Sequence, residues 1–253
     1  MKNKSKIITV TSSKGGVGKT IFILNLAGIL AKMEKKVLLV DCDFTGGSIA
    51  LNLDLKPLKN IYNISLDMLS NCYHNFSNYV TKYHKNIDVV ASSKDPKEAI
   101  KIDINYILAF LEEAKNYYDV ILIDTTHGLT KENTMILDKS DTILYMLTND
   151  LMDIKNTKSF MEVANKIEMD NIKVILNNSR DINLNYFSKY DIRSMIGRNI
   201  DYSLNRSLYI KNITSFLMEG EIFTLNKSLT FKDRKDLYKL ERMAKDLVMD
   251  SEE

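Results

Sequence analysis

A nine-residue stretch, Ser12–Thr20 (SSKGGVGKT), limits what this chain can fold into more than any other part of it. It follows a short β-branched run, Ile7–Thr11 (IITVT), and leads into an apolar segment of helical character, Thr20–Met33. Glycines at Gly15, Gly16 and Gly18 let successive backbone N–H groups turn inward, and a helix starting near Lys19 adds the positive end of its dipole. A strand, a glycine-rich turn and a helix in that order form a cradle for phosphate. Lys19 would then reach the β- and γ-phosphates of a nucleotide, and the Thr20 hydroxyl would ligate Mg²⁺. The ordinary spacing G-x-x-x-x-G-K-[ST] asks for glycine where this chain has Ser13, so the stretch departs from it at one position.

The rest of the chain repeats the alternation begun there. Val37–Val40, Ile87–Val90, Val120–Ile123, Ile143–Leu147 and Val174–Leu176 are short apolar runs of the kind that parallel strands covered on both faces require. Between them, Ile104–Ala114 places Ile107, Leu108, Leu111 and Ala114 on one helical face, and Ile154–Ile167 does the same with Phe160, Val163, Ala164 and Ile167. The pattern predicts an α/β fold of the P-loop NTPase class, a mostly parallel twisted sheet with helices on both faces. Without repeats or a Pro/Ser-rich linker, residues 1–253 read as one domain. Residues 183–206 carry the weakest pattern. Near the end, 233–248 reads as a helix with Asp233 as N-cap and a stripe of Leu237, Leu240, Met243, Ala244 and Leu247 that docks on the core. A membrane-surface helix fits less well, because the stripe lacks bulky aromatics and Asp250, Glu252 and Glu253 would be repelled by anionic lipid.

Charge and cysteine content narrow the setting. Thirty-five Lys and Arg against 33 Asp and Glu give +2, too even for an overall attraction to nucleic acid or lipid. Cys42 and Cys72 form no pair of metal-ligand spacing, and His74, His84 and His127 form none either. A disulfide framework is not expected, the basic N-terminus runs into the glycine loop rather than a signal sequence, and no run approaches the ~18 apolar residues of a membrane span. A cytoplasmic location follows from this reading.

Two acidic strand ends accompany the phosphate loop. Val37–Val40 runs into Asp41, Cys42 and Asp43, followed by FTGGS, and Val120–Ile123 into Asp124 with Gly128 four residues on (DTTHG). Phosphoryl transfer needs a held Mg²⁺ and a water placed in line, and carboxylates at strand ends suit both tasks. A further strand closes on Leu176, Asn177 and Asn178.

With its second lysine, Lys14, the loop reads K-G-G-x-G-K-T and resembles the deviant Walker A motif of the MinD/ParA family of P-loop ATPases. The resemblance covers about residues 7–223 and implies ATP and Mg²⁺ as cofactors. It implies that the loop residues Gly15, Gly16, Val17, Gly18, Lys19 and Thr20 hold the nucleotide. Lys14 would act across a two-fold axis on the partner subunit's phosphates, Asp43 would orient the attacking water, and Asp41 and Asp124 would support Mg²⁺ beside Thr20. The Gly128 amide would sense the γ-phosphate, and the Asn177 amide would pair with adenine. An ATP-dependent homodimer, slow hydrolysis and an activating or recruiting protein partner belong to the same implication. Thr125, Thr126 and His127 stand where relatives usually carry prolines, and Ile200–Ser203 lacks the proline that marks the second purine-side loop.

Within the family, residues 89–100, 147–160 and 216–223 look like segments of CpaE and TadZ, the localisation ATPases of Tad/Flp pilus assembly, although the receiver-like domain normally ahead of these is not in this sequence. A plasmid or chromosome partition ATPase is the first alternative, with Arg193, Arg198, Arg206, Lys211, Lys232, Arg234 and Lys235 as candidate DNA-phosphate contacts. A membrane-associated MinD/FlhG-like division or flagellar regulator is the second, and a nucleotide-binding scaffold without meaningful turnover is a third. Iron–sulfur or nickel chaperones of this family use cysteine pairs, which Cys42 and Cys72 do not form.

Overall fold

Short β-branched runs separated by amphipathic segments assemble, in the computed structural model, into a single eight-stranded sheet; residues 5–178, 187–204, 216–226 and 231–249 are described. The strands are β1 (Lys6–Thr11), β2 (Val37–Cys42), β3 (Thr81–His84), β4 (Ile87–Val90), β5 (Val120–Thr125), β6 (Thr142–Thr148), β7 (Ile172–Asn177) and β8 (Tyr202–Leu204). Their spatial order is β3-β4-β2-β5-β1-β6-β7-β8, and every neighbouring pair is parallel except β3 with β4. The register sets Asp41 beside Asp124 and Thr11 beside Tyr145, so the C-terminal ends of the central strands lie level with one another. The expected α/β class and mostly parallel sheet are observed.

The helices that connect and cover the strands include α1 (Lys19–Lys32), α2 (Ile49–Asn52), α3 (Ile61–Leu69), α4 (Pro96–Ala99), α5 (Ile104–Ala114), α6 (Lys131–Asp138), α7 (Leu151–Lys166), α8 (Lys189–Ile196) and α9 (Phe231–Met249). Residues Phe22 to Ala31 of α1 are buried without a break. A helix buried all round needs cover on its outer side too. That cover is α9, through Leu237, Leu240, Met243, Ala244 and Leu247, together with the 3₁₀ turn Phe223–Leu225. At the closest approach a Cβ on Gly28 would sit 2.2 Å from Thr224 Oγ1, which is why glycine stands there. On the opposite face α3 and α5 pack against β2 and β5, and α7 and α8 against β6 and β7. Each fully buried Leu or Ile in these layers contributes roughly 1.5–3 kcal/mol.

Some expectations are corrected. The last helix begins at Phe231, so Asp233 lies inside its first turn and is not the N-cap. Helix α7 starts at Leu151 with Asp150 as N-cap and buries Ile154, Thr157, Phe160, Met161 and Ala164, whereas Val163 and Ile167 are 45% and 56% exposed. The start moves because the Asp150 carboxylate captures the Asp153 N–H and caps the helix there. Strands β3 and β8 and helices α2, α3, α4, α6 and α8 are not among the elements the sequence pattern predicts. Arg206, Lys211, Asp250, Glu252, Glu253 and the side chains of Lys232, Arg234 and Lys235 lie outside the described residues. Among the described residues no helix is long and apolar enough to cross a membrane.

Candidate nucleotide site

The loop between β1 and α1 has the backbone a phosphate cradle needs. Gly16 and Gly18 take φ of +72° and +98°, left-handed values that glycine adopts without strain, and Gly18 caps α1. The Lys19 ammonium donates to Ser12 Oγ at 3.1 Å. Burial lowers its pKa, while Asp124, Asp43 and Asp153 act in the opposite direction. A desolvated cation beside a glycine-rich turn at a helix start suits a ligand that carries several negative charges.

Thr20 Oγ1 donates to Asp124 Oδ2 at 2.5 Å. The other Asp124 oxygen, Oδ1, is buried and has no hydrogen-bond partner, and burial pushes the carboxyl pKa up to about 6. A buried acceptor left open is costly unless something completes it. A divalent cation at this hydroxyl and carboxylate would do so, and oxygen donors of this kind suit Mg²⁺. No group of three or more His, Cys, Asp or Glu that could hold a metal ion is found among the described residues.

Two loops frame this pair. Asp41 is buried and turns both oxygens to backbone N–H groups, Oδ1 to Asp43 at 3.3 Å and Oδ2 to Ile49 at 2.9 Å. It therefore clamps the ends of the loop 43–48 rather than opening toward a metal. Asp43, half-buried, accepts from the Gly46 N–H at 3.0 Å, and its carbonyl accepts from Ser92 Oγ at 2.8 Å. After β5, the Gly128 N–H donates to the Ser12 carbonyl at 2.9 Å, and Asn133 Nδ2 braces the same turn through Thr126 and Gly128 carbonyls. The exposed His127 ring lies over Gly15, 3.6 Å from where a Cβ would be.

Lys14, 36% exposed, reaches away from the loop to Asp150 at 3.0 Å. Asn177, expected to meet adenine, contacts the phosphate loop. It is 1% exposed, and its Nδ2 donates to the Val17 carbonyl at 2.8 Å, so it supports the loop from beneath.

The family model described as the AAA domain matches residues 5–179, more than half of the chain. The chain belongs to the MinD/ParA family of P-loop ATPases. Among relatives in this family, a putative septum site-determining protein MinD of Emiliania huxleyi is 27% identical over 197 residues, 76% of this chain and 71% of that protein. An uncharacterized ATP-binding protein of Methanocaldococcus jannaschii is 28% identical over 68% of this chain, which spans 64% of that protein, just under two-thirds of its length. The fold is shared with a ParA family ATPase from Chlorobium tepidum TLS (TM-score 0.81, 18% identity, 95% of this chain and 98% of that one). It is also shared with the septum site-determining protein MinD of Pyrococcus horikoshii OT3 complexed with Mg-ADP (TM-score 0.75, 21% identity, 96% and 97%).

In this MinD/ParA chain the structure gathers Lys14, Lys19, Thr20, Asp43, Asp124 and Gly128 around one loop, with Asn177 supporting that loop and Asp41 the neighbouring loop 43–48. Sequence reasoning missed Ser12, Ser92, Asn133, Tyr145 and Asp150. Asp150 carries a signal, an N-cap residue directly after a strand. Ser12 lies within the loop motif itself but carries no role that the motif spells out, and Ser92, Asn133 and Tyr145 hold the loops from other parts of the chain, where nothing local marks them.

Proposed function

We propose that this chain is an ATP-dependent dimerisation switch that binds ATP with Mg²⁺, hydrolyses it slowly, and positions a cellular assembly in the manner of CpaE and TadZ. The observation that carries the proposal is the Thr20–Asp124 pair with its open buried oxygen beside the desolvated Lys19. The loop amides and Lys19 hold the β- and γ-phosphates and stabilise the charge that builds on the leaving oxygens. Thr20 and Asp124 hold Mg²⁺, which would supply charge neutralisation across the phosphates. Asp43 orients the water. Lys14, the second lysine of the deviant Walker A loop, exchanges Asp150 for the phosphates of the partner subunit, and the half-exposed position of both side chains leaves that exchange open.

The Mg-ADP complex of the Pyrococcus horikoshii relative supports the choice of cofactor. The segments 89–100 and 147–160 support positioning of a protein assembly over DNA partition. Arg198, one of the candidate DNA contacts, spends its guanidinium on the Met169 carbonyl at 3.2 Å, which favours the same choice.

An Asp43→Ala variant tests this reading, because it retains the ATP-bound state. Size-exclusion chromatography with ATP and Mg²⁺ is expected to show a dimer whose elution does not change when a nonspecific DNA duplex is added at low salt. A monomer under these conditions would refute the switch. A dimer that takes up DNA, and releases it as salt rises, would replace the pilus-type role by partition.

A further inference from the structure

Ser13 stands where the ordinary phosphate loop has glycine, and the fold supplies a reason. Tyr145, on β6 beside β1 and in register with Thr11, is fully buried. Its hydroxyl accepts from the Ser13 N–H at 3.1 Å and lies 2.5 Å from Ser13 Oγ. One donor assignment fits these contacts: the phenol accepts from the Ser13 N–H and donates to Ser13 Oγ, the serine hydroxyl points on toward the Asn156 carbonyl at 3.5 Å, and the buried Thr157 hydroxyl also faces the phenol. From the other side Ser12 Oγ donates to the Lys14 carbonyl at 2.8 Å. The backbone from which the Lys14 side chain springs is thus held at both ends. A phenylalanine would fill the same volume against Phe160, whose ring centroid is 4.5 Å away, without any buried hydroxyl to satisfy. The hydroxyl therefore has a use that packing does not explain.

We infer that Tyr145 is a positioning residue that fixes the origin of Lys14 through its hold on Ser13, so that the lysine, once released from Asp150, arrives at the partner subunit's phosphates in a reactive geometry. This inference rests on the trans role proposed for Lys14. A long flexible side chain that must cross a subunit boundary gains most from an immobile base, and misplacement of a catalytic group by about 1 Å can cost on the order of 100-fold in rate. The Tyr145 contact lies on the Ser13 side of the loop. Lys19, Thr20 and the nucleotide cradle are left as they are, which separates turnover from binding.

The test is single-turnover ATP hydrolysis and ATP affinity for Tyr145→Phe, each measured in the wild-type and the Lys14→Ala background. The expected result is a fall in rate of about tenfold with ATP affinity within about twofold, and no further fall when Lys14 is already absent. Ser13→Gly, which leaves the core intact and keeps the N–H, should give a smaller fall, about threefold, again only in the presence of Lys14. An unchanged rate in Tyr145→Phe, a parallel loss of ATP affinity, or an equal fall in both backgrounds would overturn the inference. Should Tyr145→Phe fail to fold, the Ser13→Gly pair decides by the same criteria. If Lys14→Ala by itself keeps full turnover, the trans-lysine reading fails and this inference fails with it, a result distinct from an insensitive Tyr145 in a chain that does need Lys14.

Discussion

The middle of the central strands and their C-terminal ends are equally dry and chemically opposite. Ile8, Leu39, Leu122 and Leu144 are wholly buried hydrocarbon, while Ser12, Asp41, Asp124, Thr125 and Thr148, at or just beyond the ends of the same strands, are nearly as buried and polar. In the middle, burial itself stabilises. At the ends it has to be offset, and the offsets are specific: Asp41 by two backbone N–H groups, Thr125 by the Val10 carbonyl, Thr148 by Asp153. Asp41 and Asp124 even lie side by side, and the Asp124 charge helps burial to raise the Asp41 pKa. Two neighbouring carboxylates at the edge of a hydrocarbon layer are hard to justify by stability. The two are put to different uses: Asp41 closes the loop 43–48 with both oxygens, and Asp124 keeps one buried oxygen open.

Substitutions can break that contrast. Leu122→Ala should destabilise the protein by about 2–5 kcal/mol in urea unfolding, because it opens a cavity in a layer with no room to collapse. The ATP affinity of the folded fraction should stay within about twofold. If affinity fell in step with stability, the two regions would not be separable. Asp124→Asn should do the reverse, leaving unfolding free energy unchanged or raised by up to ~1 kcal/mol, since it removes a desolvated charge while keeping an acceptor for Thr20. Mg²⁺-dependent protection by nucleotide in a thermal melt should disappear in that variant; its survival would move the metal away from Asp124.

A carboxylate outside both regions supplies the control. Asp67, near the surface, is hydrogen-bonded by Lys59 at 2.6 Å and Tyr79 at 2.7 Å, which hold its pKa below the usual carboxylate range. A depressed pKa gives stability that is present above the ordinary carboxylate pKa and is lost as pH falls through the folded value. Asp67→Asn should therefore cost less than ~1 kcal/mol near neutral pH, and the difference from wild type should fade as pH falls below the ordinary carboxylate range and through the folded pKa. Unfolding curves at two pH values check this, and a larger or pH-independent loss would mean that Asp67 holds more of the fold than its solvent contact suggests.

How far the sequence could be read depended on burial pattern. The central strands were legible because strands covered on both faces must be apolar throughout, and β1, β2, β5, β6 and β7 satisfy that almost without exception. Strand β3 was missed because only one side of it is covered: Lys82 and His84 are exposed, and no apolar run announces it. Strand β8 has three residues, of which only Leu204 is buried. In α7 the apolar spacing pointed to Val163 and Ile167, yet Asp153 and Thr157 are the residues turned inward, since the first turn is bound to the end of β6 by the Thr148–Asp153 hydrogen bonds. The same division holds at the site. Lys19, Thr20 and Asp124 come together where their motifs place them, whereas the Asn177 amide went to a carbonyl of the phosphate loop.

The sequence by itself determined the α/β alternation, the phosphate loop and the acidic strand ends, because those follow from the spacing of neighbouring residues and from which strands must be buried. Only the tertiary structure decided who completes the buried polar groups. Tyr145 meets Ser13 across 132 residues, Asn177 meets Val17 across 160, and Thr224 meets Asn25 across 199. Hydrophobic periodicity says that a position is inside, and it is silent about which donor will face which acceptor there. That pairing depends on register and on the angle at which helices lie on the sheet, and both are settled only when the whole sheet has formed.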